Sequence, residues 1–330
     1  MKIEGLFHYL DVCNGKTLPL YMKTKHIPVS YRPNDSLDTL WDIHNEHLLN
    51  AKYETEFPDQ SLLDLKIDIA SKLYSDCIFC EHRCNVDRND KTGVCGVNET
   101  LVASDFIHHG EESFFTPSRT IFFSGCTFQC VFCQNYEISQ NQTGLYLKPN
   151  QLAERIKIGI ANGSRNVNWV GGEPTPHLLY ILQTINQLDV SLPQIWNSNM
   201  YCSQETMQLL NGIVDVYLSD FKFGNDECGK KLANITEYTK VVKRNHLLAK
   251  KQADVLIGHL LMPHHINCCS KPILSWIATS MPYTPVNLMN QYHPAYKATS
   301  IPLLKATCFT ADYEQVKSFA QKQGVLLITE

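Results

Sequence analysis

The sequence lacks long hydrophobic runs, since none of its apolar segments approaches the ~20 residues that a membrane-spanning helix needs. Residues 1–5 are not followed by the apolar stretch of a secretory signal peptide. Internal repeats and low-complexity tracts are missing as well. These absences predict a cytosolic protein without a membrane span.

An excess of charge of one sign is also missing. The 29 basic and 33 acidic side chains leave a formal net charge of -4. Such a balance offers no general attraction to nucleic acid or to anionic lipid. We therefore expect neither a nucleic-acid partner nor a membrane partner.

Cysteine, by contrast, is abundant, with 13 residues in a chain of 330. Because no export signal precedes them, the cysteines argue against a disulfide framework and for metal or redox chemistry. Seven of the 13 lie between Cys77 and Cys133. Metal sites are therefore expected in that part of the chain.

Three cysteines, Cys126, Cys130 and Cys133, follow an apolar run with CxxxCxxC spacing. Three thiolates can hold three irons of a four-iron cluster and leave the fourth iron open to a small molecule, because a fully thiolate-ligated cluster takes four cysteines. The alternative is a zinc knuckle. Zinc sites mostly use CxxC pairs and four ligands, and no fourth ligand lies close behind Cys133. The spacing favours the 4Fe-4S cluster.

A second group of four cysteines lies upstream, at Cys77, Cys80, Cys84 and Cys95. Four thiolates close a tetrahedral zinc site completely, and they suit a four-cysteine iron-sulfur cluster equally well. Zinc and a second cluster both remain open for this group.

The remaining cysteines and several histidines are assigned no site. We interpret four of them, Cys13, Cys202, Cys228 and Cys308, as packing residues or free thiols. A row near the fifth strand has spacing that is poor for zinc and is expected to line a pocket or to have no special role: His259, His264, His265, Cys268 and Cys269.

Short apolar runs alternate with helical patterns from residue 120 onward. Strands are predicted at 120–124, 166–170, 193–197, 214–219, 253–261 and 286–291, with helices between them. This alternation predicts βαβ units and a parallel sheet, and about six units fit a partial barrel. Residues 1–60 are predicted to form an irregular arm with one helix near 38–49, and residues 61–73 a helix that leads to the first cysteine group.

The CxxxCxxC segment resembles the signature of the radical S-adenosylmethionine (radical SAM) enzymes. Further segments resemble the homologues of pyruvate formate-lyase activating enzyme, in order across about two thirds of the chain: residues 121–139, 170–177, 195–199, 216–222 and 287–292. The resemblance implies an α/β fold, a partial (β/α)6 barrel of the radical SAM type with an N-terminal cysteine-containing extension. The extension would comprise residues 1–110, with its metal-binding loop at 77–95, and the core residues 111–330.

The resemblance also implies cosubstrate contacts at the ends of successive strands. Gly171, Gly172 and Glu173 correspond to the segment that contacts the amino group of the methionine moiety; two glycines admit a ligand to the backbone, and a carboxylate accepts hydrogen bonds from an ammonium group. Ser198 would lie near the ribose, although such a residue also caps helices. A last pair, Asp220 and Lys222, would neutralise the methionine carboxylate or form an ordinary ion pair.

One departure from the homologues concerns the fifth strand, where they often have arginine and this chain has Gly258. The loss of an arginine removes a possible partner of a carboxylate, so cosubstrate binding is expected to be organised differently here.

The sequence thus predicts an enzyme that cleaves S-adenosylmethionine reductively to a 5'-deoxyadenosyl radical for hydrogen abstraction. Flavodoxin or ferredoxin would supply the electron, and activation of a glycyl radical enzyme is one use; the substrate and the catalytic residues are not specified. The rival interpretation is a non-catalytic zinc or iron-sulfur scaffold, or an electron-transfer protein.

Overall fold

A single seven-stranded sheet organises the chain in the computed structural model, which describes residues 5–110 and 112–328. The strands are β1 (Val102–His108), β2 (Ser118–Phe123), β3 (Val167–Gly171), β4 (Gln194–Ser198), β5 (Val216–Asp220), β6 (Asp254–Leu260) and β7 (Val286–Met289). They lie in sequence order, with β1 antiparallel to β2 and all later neighbours parallel. Sequential parallel strands joined by helices are the arrangement of a barrel wall, which confirms the predicted partial α/β barrel.

The helices alternate with β2–β7 as the sequence pattern predicts. They are α1 (Phe7–Cys13), α2 (Leu20–Lys25), α3 (Leu37–Leu49), α4 (Leu62–Ser75), α5 (Tyr136–Ser139), α6 (Pro149–Ala161), α7 (Leu178–Asn186), α8 (Gln204–Leu210), α9 (Asp226–Ala233), α10 (Tyr238–Gln252), α11 (Lys271–Ser280) and α12 (Thr310–Lys322). A π-helical turn, Ile266–Ser270, precedes α11. None of the described helices is both long enough and apolar enough to cross a bilayer.

The two faces of the sheet bury different clusters. Side chains alternate along a strand, so Trp196 and Tyr217 pack outward against the helices while Ile195 and Val216 point to the opposite face. Those inward residues form a small second core with Leu218, Leu256 and the aromatic pair Phe114 and Phe115.

The N-terminal region is more ordered than predicted. Instead of an arm with one helix, residues 5–60 form α1, α2 and α3. Leu6 and Tyr9 are fully buried in the inward core, and Tyr9 N donates to Asp254 Oδ2 at 2.8 Å. Helix α1 therefore packs over the end of the barrel where β5 and β6 begin. A helix of seven residues is too short to show the periodicity on which the prediction depended.

Strand β1 was not predicted. It pairs with β2 along one edge. The strand is only partly buried, because the side chains of Ser104 and Phe106 are exposed to solvent. An edge strand of this kind carries little apolar signal. The predicted boundary at residue 110 stays a prediction, although β1 joins residues on its N-terminal side to the same sheet.

Helix α4 carries the chain into the first cysteine group. Its buried residues recur with helical spacing at Leu62, Leu65, Ile69 and Leu73. The helix starts with a capping box, in which Ser61 Oγ accepts from Asp64 N at 3.3 Å and Asp64 Oδ2 accepts from Ser61 N at 2.9 Å. The cap fixes the start of the helix that ends two residues before Cys77.

We expect Ser61→Ala to destabilise the protein by about 1 kcal/mol, because the first turn of α4 loses its side-chain acceptor. The measurement is the urea midpoint of the protein with its metals bound. Ser71→Ala, at an exposed position on the same helix, is the matched control and should change the midpoint little. Equal midpoints for the two variants would contradict the assigned cap.

Candidate active site

The carboxyl ends of β2–β5 surround one cavity of about 320 Å³. Every residue predicted to hold the first cluster or the cosubstrate lines it: Cys126, Cys130, Cys133, Gly171, Gly172, Glu173, Ser198, Asp220 and Lys222. These residues come from four different strand ends and meet because parallel strands bring their carboxyl ends to one rim. Their binding roles remain predictions that this placement supports.

Hydrogen-bonding groups lie beside two of the three sulfur atoms of the CxxxCxxC loop, and donors are directed at that of Cys126. Cys126 Sγ accepts from Phe128 N at 3.3 Å and lies 3.9 Å from Asn199 Nδ2. Cys133 Sγ lies 3.4 Å from Ser139 Oγ. Donors directed at sulfur stabilise a metal-bound thiolate and adjust the potential of an iron-sulfur cluster.

The sulfur atoms of Cys126, Cys130 and Cys133 do not all lie within 4.8 Å of one another. A tetrahedral zinc with bonds of about 2.3 Å would hold its sulfur ligands about 3.8 Å apart. Within the described residues, three metal-ligand atoms lie within 4.8 Å of one another only at Cys228, Cys268 and Cys269. Three cysteines that each bind a separate iron of a cluster do not need the close spacing of ligands around one ion.

Burial makes these thiols poor anions on their own. It raises the pKa of Cys126 well above its ordinary value and that of Cys130 to about 12, because a thiolate would lose its hydration. Metal ligation requires the thiolate form. The loop is therefore suited to a cationic group that replaces the protons.

Gly171 and Gly172 are required by the protein's own backbone. Gly171 has a φ of +121°. A Cβ at Gly172 would lie 2.0 Å from the carbonyl oxygen of Gly125, and Gly172 N donates to Phe123 O at 2.8 Å. The end of β3 thus packs directly on the backbone that leads to Cys126, which is a stricter requirement than the ligand access predicted for these glycines.

The carboxylate of Glu173 is buried and hydrogen-bonded within the protein. Oε1 accepts from Ser198 Oγ and Thr175 Oγ1, each at 2.6 Å, and Oε2 accepts from Asn199 N at 2.9 Å. Burial raises the pKa of Glu173, while these hydrogen bonds oppose the shift. This geometry makes Glu173 a positioning residue that ties the end of β3 to the end of β4.

Ser198 belongs to the same network. Its hydroxyl donates to Glu173 and accepts from Met200 N at 3.0 Å. The alternative that Ser198 caps the following helix is wrong, because Ser203 fills that place at the start of α8 and accepts from Thr206 N. Ribose contact by Ser198 stays a prediction.

Asp220 and Lys222 form an ion pair on the cavity wall, with Lys222 Nζ 2.5 Å from Asp220 Oδ2. Burial alone would lower the pKa of Lys222, but Asp220 and the neighbouring Cys130 together hold it above its ordinary value. A permanent positive charge therefore stands beside the cysteine loop. The ion pair between Asp220 and Lys222 is thus present in the structure. Contact of Lys222 with a cosubstrate carboxylate stays a prediction.

Gly258 lies close to this pair. A Cβ at Gly258 would approach Met289 Cε to 3.1 Å and Asp220 Oδ1 to 3.4 Å. A second cavity of about 170 Å³ lies here, with Glu112 and Asn197 also in its wall. Lys222 is the one Lys or Arg side chain among the lining residues of the two cavities, and it is paired with Asp220.

The four upstream cysteines lie against the CxxxCxxC loop. A Cβ at Gly93 would lie 2.9 Å from Cys84 Sγ and 3.6 Å from Cys95 Sγ, which places these two sulfurs in the same pocket of the loop. Cys126 N donates to Cys95 O at 3.3 Å. The backbone of one cysteine group is thus hydrogen-bonded to that of the other.

Arg88 supplies buried positive charge to the four-cysteine group. Its side chain is 2% exposed, and Nη1 lies 3.6 Å from Cys77 Sγ. In the part of the chain that the structure describes, its Nε and Nη2 have no hydrogen-bond partner. A buried guanidinium requires an anionic neighbour, and metal-bound thiolates provide one.

Sequence reasoning did not identify the role of Asn199. Its Nδ2 bonds Thr127 Oγ1 at 2.9 Å and lies beside Cys126 Sγ, while its Oδ1 accepts from Tyr201 N. The contact joins residues more than 70 positions apart. No local pattern signals it, because it depends on how the end of β4 meets the cysteine loop.

The chain is similar to several known proteins. The family model described as Radical SAM superfamily matches residues 120–269. The uncharacterized protein MJ0674 of Methanocaldococcus jannaschii is 42% identical over 337 residues, which cover 98% of this chain and 99% of that relative. Two solved structures are remoter likenesses. Methylornithine synthase PylB has 15% identity and a TM-score of 0.47, over 97% of this chain and 78% of that chain. SuiB of Streptococcus suis has 14% identity and a TM-score of 0.44, over 62% of this chain and 46% of that chain.

Gly172→Ala is expected to abolish most iron binding at Cys126, Cys130 and Cys133, because the added Cβ collides with the carbonyl of Gly125 and displaces the loop. Overpacking of this kind costs about 1–3 kcal/mol or more. Iron per chain after anaerobic reconstitution, together with the melting temperature, is the measurement.

The control for this variant is Gly163→Ala. Gly163 also has a positive φ, +97°, but a Cβ there meets nothing within 4 Å. This variant should lose some stability and keep its iron. Wild-type iron content in Gly172→Ala would show that the close approach is not needed for the site.

Proposed function

This chain belongs to the radical SAM superfamily, and we propose that it cleaves S-adenosylmethionine reductively and uses the resulting radical to abstract hydrogen from a substrate. One observation carries the proposal: the three cysteines, the Gly171–Gly172 backbone and the Lys222 cation meet in a single cavity. The family alone would imply the chemistry, while the cavity provides this chain's means of performing it.

Cys126, Cys130 and Cys133 would hold a 4Fe-4S cluster, and S-adenosylmethionine would occupy the rest of the cavity. When bound, the reduced cluster supplies the electron that cleaves the sulfonium and releases the 5'-deoxyadenosyl radical. The chain's own contribution is to bind, to orient and to exclude water.

Each part of the cavity wall has a role in this proposal. Lys222, charged at neutral pH, attracts the carboxylate of the cosubstrate and offsets negative charge near Cys130. Gly171 and Gly172 form part of the cavity wall without a side chain, which would let the cosubstrate approach the backbone there. Glu173 and Ser198 hold the strand ends in register. Phe128 and Phe132 add apolar surface to the same wall.

The negative charge on a four-iron cluster with thiolate ligands calls for a low-potential donor. We propose flavodoxin or ferredoxin as the partner that delivers the electron. The net charge of the chain, -4, gives no strong long-range attraction to an electron-donor protein. Docking of the donor is therefore expected to depend on a local surface.

The substrate class we propose is the one suggested by resemblance to pyruvate formate-lyase activating enzyme homologues, a glycine of a glycyl radical enzyme. A second candidate is a small molecule, which the polar cavity beside Gly258 favours because it adjoins Asp220 and provides hydrogen-bond partners within the barrel. The two are separated by anaerobic incubation with each class of substrate. A glycyl radical signal in a partner protein supports the first, and a modified small molecule with no protein radical supports the second.

For the four-cysteine group we propose a second iron-sulfur cluster. No three of its sulfurs fall within 4.8 Å of one another among the described residues, whereas a closed zinc site would require such spacing. Cysteines on separate irons of a cluster avoid this requirement. The hydrogen bond from Cys126 N to Cys95 O would place the two clusters side by side, close enough for electron transfer.

Cys130→Ala should abolish formation of 5'-deoxyadenosine, because the first cluster loses one of its three ligands. The assay combines the anaerobically reconstituted protein, dithionite and S-adenosylmethionine, with product measured by chromatography. Cys13→Ala, far from the cavity, is the matched control and should retain activity.

Two results would contradict the proposed function. Formation of 5'-deoxyadenosine by Cys130→Ala would contradict the assignment of Cys130 as a ligand of the first cluster. A wild-type protein that undergoes reversible reduction under several reductants without consuming S-adenosylmethionine would instead favour the electron-transfer protein or the scaffold.

Metal analysis of the anaerobically purified protein tests the second cluster. We expect about eight irons and eight sulfides per chain in the wild type, and about half of each in Cys84→Ser. The first cluster should remain in that variant, as judged by a change in its electron paramagnetic resonance spectrum on addition of S-adenosylmethionine. About four irons with one zinc lost in Cys84→Ser would assign zinc to the upstream group.

A further inference from the structure

Three thiols that no sequence pattern links converge outside the cavity. Cys228 lies in α9, while Cys268 and Cys269 lie in the π-helical turn Ile266–Ser270. Cys228 Sγ is 4.0 Å from Cys268 Sγ, which is 3.9 Å from Cys269 Sγ. All three sulfurs lie within 4.8 Å of one another, and the cysteines are free thiols.

The backbone brings the two segments together by a close approach. A Cβ at Gly224 would lie 2.5 Å from Cys268 O and 2.6 Å from Cys269 Cα, so only glycine allows this packing. Asn225 Nδ2 donates to Cys268 O at 2.8 Å and also holds the start of α9, where its Oδ1 accepts from Cys228 N. π-helical turns are rare and occur often at functional sites.

We propose that Cys228, Cys268 and Cys269 bind one thiophilic cation such as Zn²⁺. The observed separations match the value of about 3.8 Å expected for thiolates around a single zinc. A disulfide would require the sulfurs to approach to about 2.05 Å. Binding releases the three thiol protons to solvent and forms three metal-sulfur bonds, with no change in oxidation state.

The ligand set and its exposure define the kind of site. Three soft sulfur ligands select zinc or copper(I) over magnesium or calcium, which prefer oxygen. Cys269 is buried whereas Cys268 is exposed, so the ion would be held from one side and face solvent on the other. Three protein ligands with a fourth position open to water or to another ligand are typical of zinc sites that are not purely structural.

The bound ion would cross-link two segments at the mouth of the barrel. Gly224 lies two residues after Lys222, and the π-helical turn follows β6. This site is separate from both cysteine groups described above and does not depend on the proposed function. It changes the interpretation of Cys228 as a packing residue or free thiol and of Cys268 and Cys269 as pocket-lining residues or residues without a role.

The test uses the full chain with its iron-sulfur sites reconstituted under anaerobic conditions. The protein is reduced, incubated with ZnCl₂ and desalted, and zinc per chain is counted for the wild type, Cys268→Ser and Cys308→Ser. Iodoacetamide labelling followed by mass spectrometry then reports the reactivity of Cys228 and Cys268 with and without zinc, with MgCl₂ as the control cation.

We expect Cys268→Ser to bind about one zinc fewer than the wild type, and Cys308→Ser to match the wild type. Zinc, but not magnesium, should protect Cys228 and Cys268 from alkylation. Because Cys268 is exposed, its replacement by serine should leave the fold intact, and Cys228→Ser provides a second variant with the same expected loss.

Equal zinc in the wild type and Cys268→Ser would overturn the proposal. Unchanged alkylation of Cys268 in the presence of zinc would do the same. A Cys228–Cys268 disulfide in the isolated protein, with no zinc uptake after reduction, would identify a redox pair in place of a metal site. Counting zinc by difference between variants keeps the result independent of the metal at the four-cysteine group.

Discussion

The close approach of the Gly172 backbone to the carbonyl of Gly125 is the constraint on which the site depends. It allows no side chain between the end of β3 and the start of the CxxxCxxC loop. The sulfur ligands and the cosubstrate-facing backbone therefore have a fixed relation before any cofactor binds. Glu173 extends the same arrangement to β4 through Ser198 and Asn199, so three neighbouring strand ends behave as one unit. Preorganisation of this kind reduces the ordering that a bound cofactor must otherwise impose.

Charge is distributed around the sulfur atoms in a consistent way. Lys222 stands beside Cys130, and Arg88 stands beside Cys77, each with restricted access to water. Thiols buried in apolar surroundings resist ionisation, and a nearby cation reduces that resistance. Both cysteine groups thus combine desolvation, which disfavours free thiolates, with a fixed positive charge, which favours an anionic metal-thiolate complex.

Sequence periodicity predicted the six parallel strands. The nine site residues were chosen from the cysteine spacing and from the resemblance to radical SAM enzymes, and they meet because the carboxyl ends of parallel strands share a rim. Other features depend on long-range contacts that periodicity does not carry. Helix α1 is recognisable only through its packing against Val216 and Leu256, and β1 only through its pairing with β2. The sulfur contact of Asn199 and the meeting of Cys228 with Cys268 arise from the packing of distant segments. Gly171 and Gly172 line the cavity, and the structure gives its own reason for glycine at these positions, the packing of one backbone on another.

The position of helix α1 affects how molecules reach the cavity. By filling the end of the barrel where β5 and β6 begin, Leu6 and Tyr9 leave the opposite rim as the approach to the cavity. Under the proposed function, the cosubstrate, the substrate and the products would then pass through the same opening. The order in which they bind and leave would affect the turnover rate. Electron transfer to the cavity does not require an open channel. Under the proposed function, an electron donor would dock beside the four-cysteine loop, which is hydrogen-bonded to the CxxxCxxC loop, and would leave the opening of the cavity to the cosubstrate and the substrate.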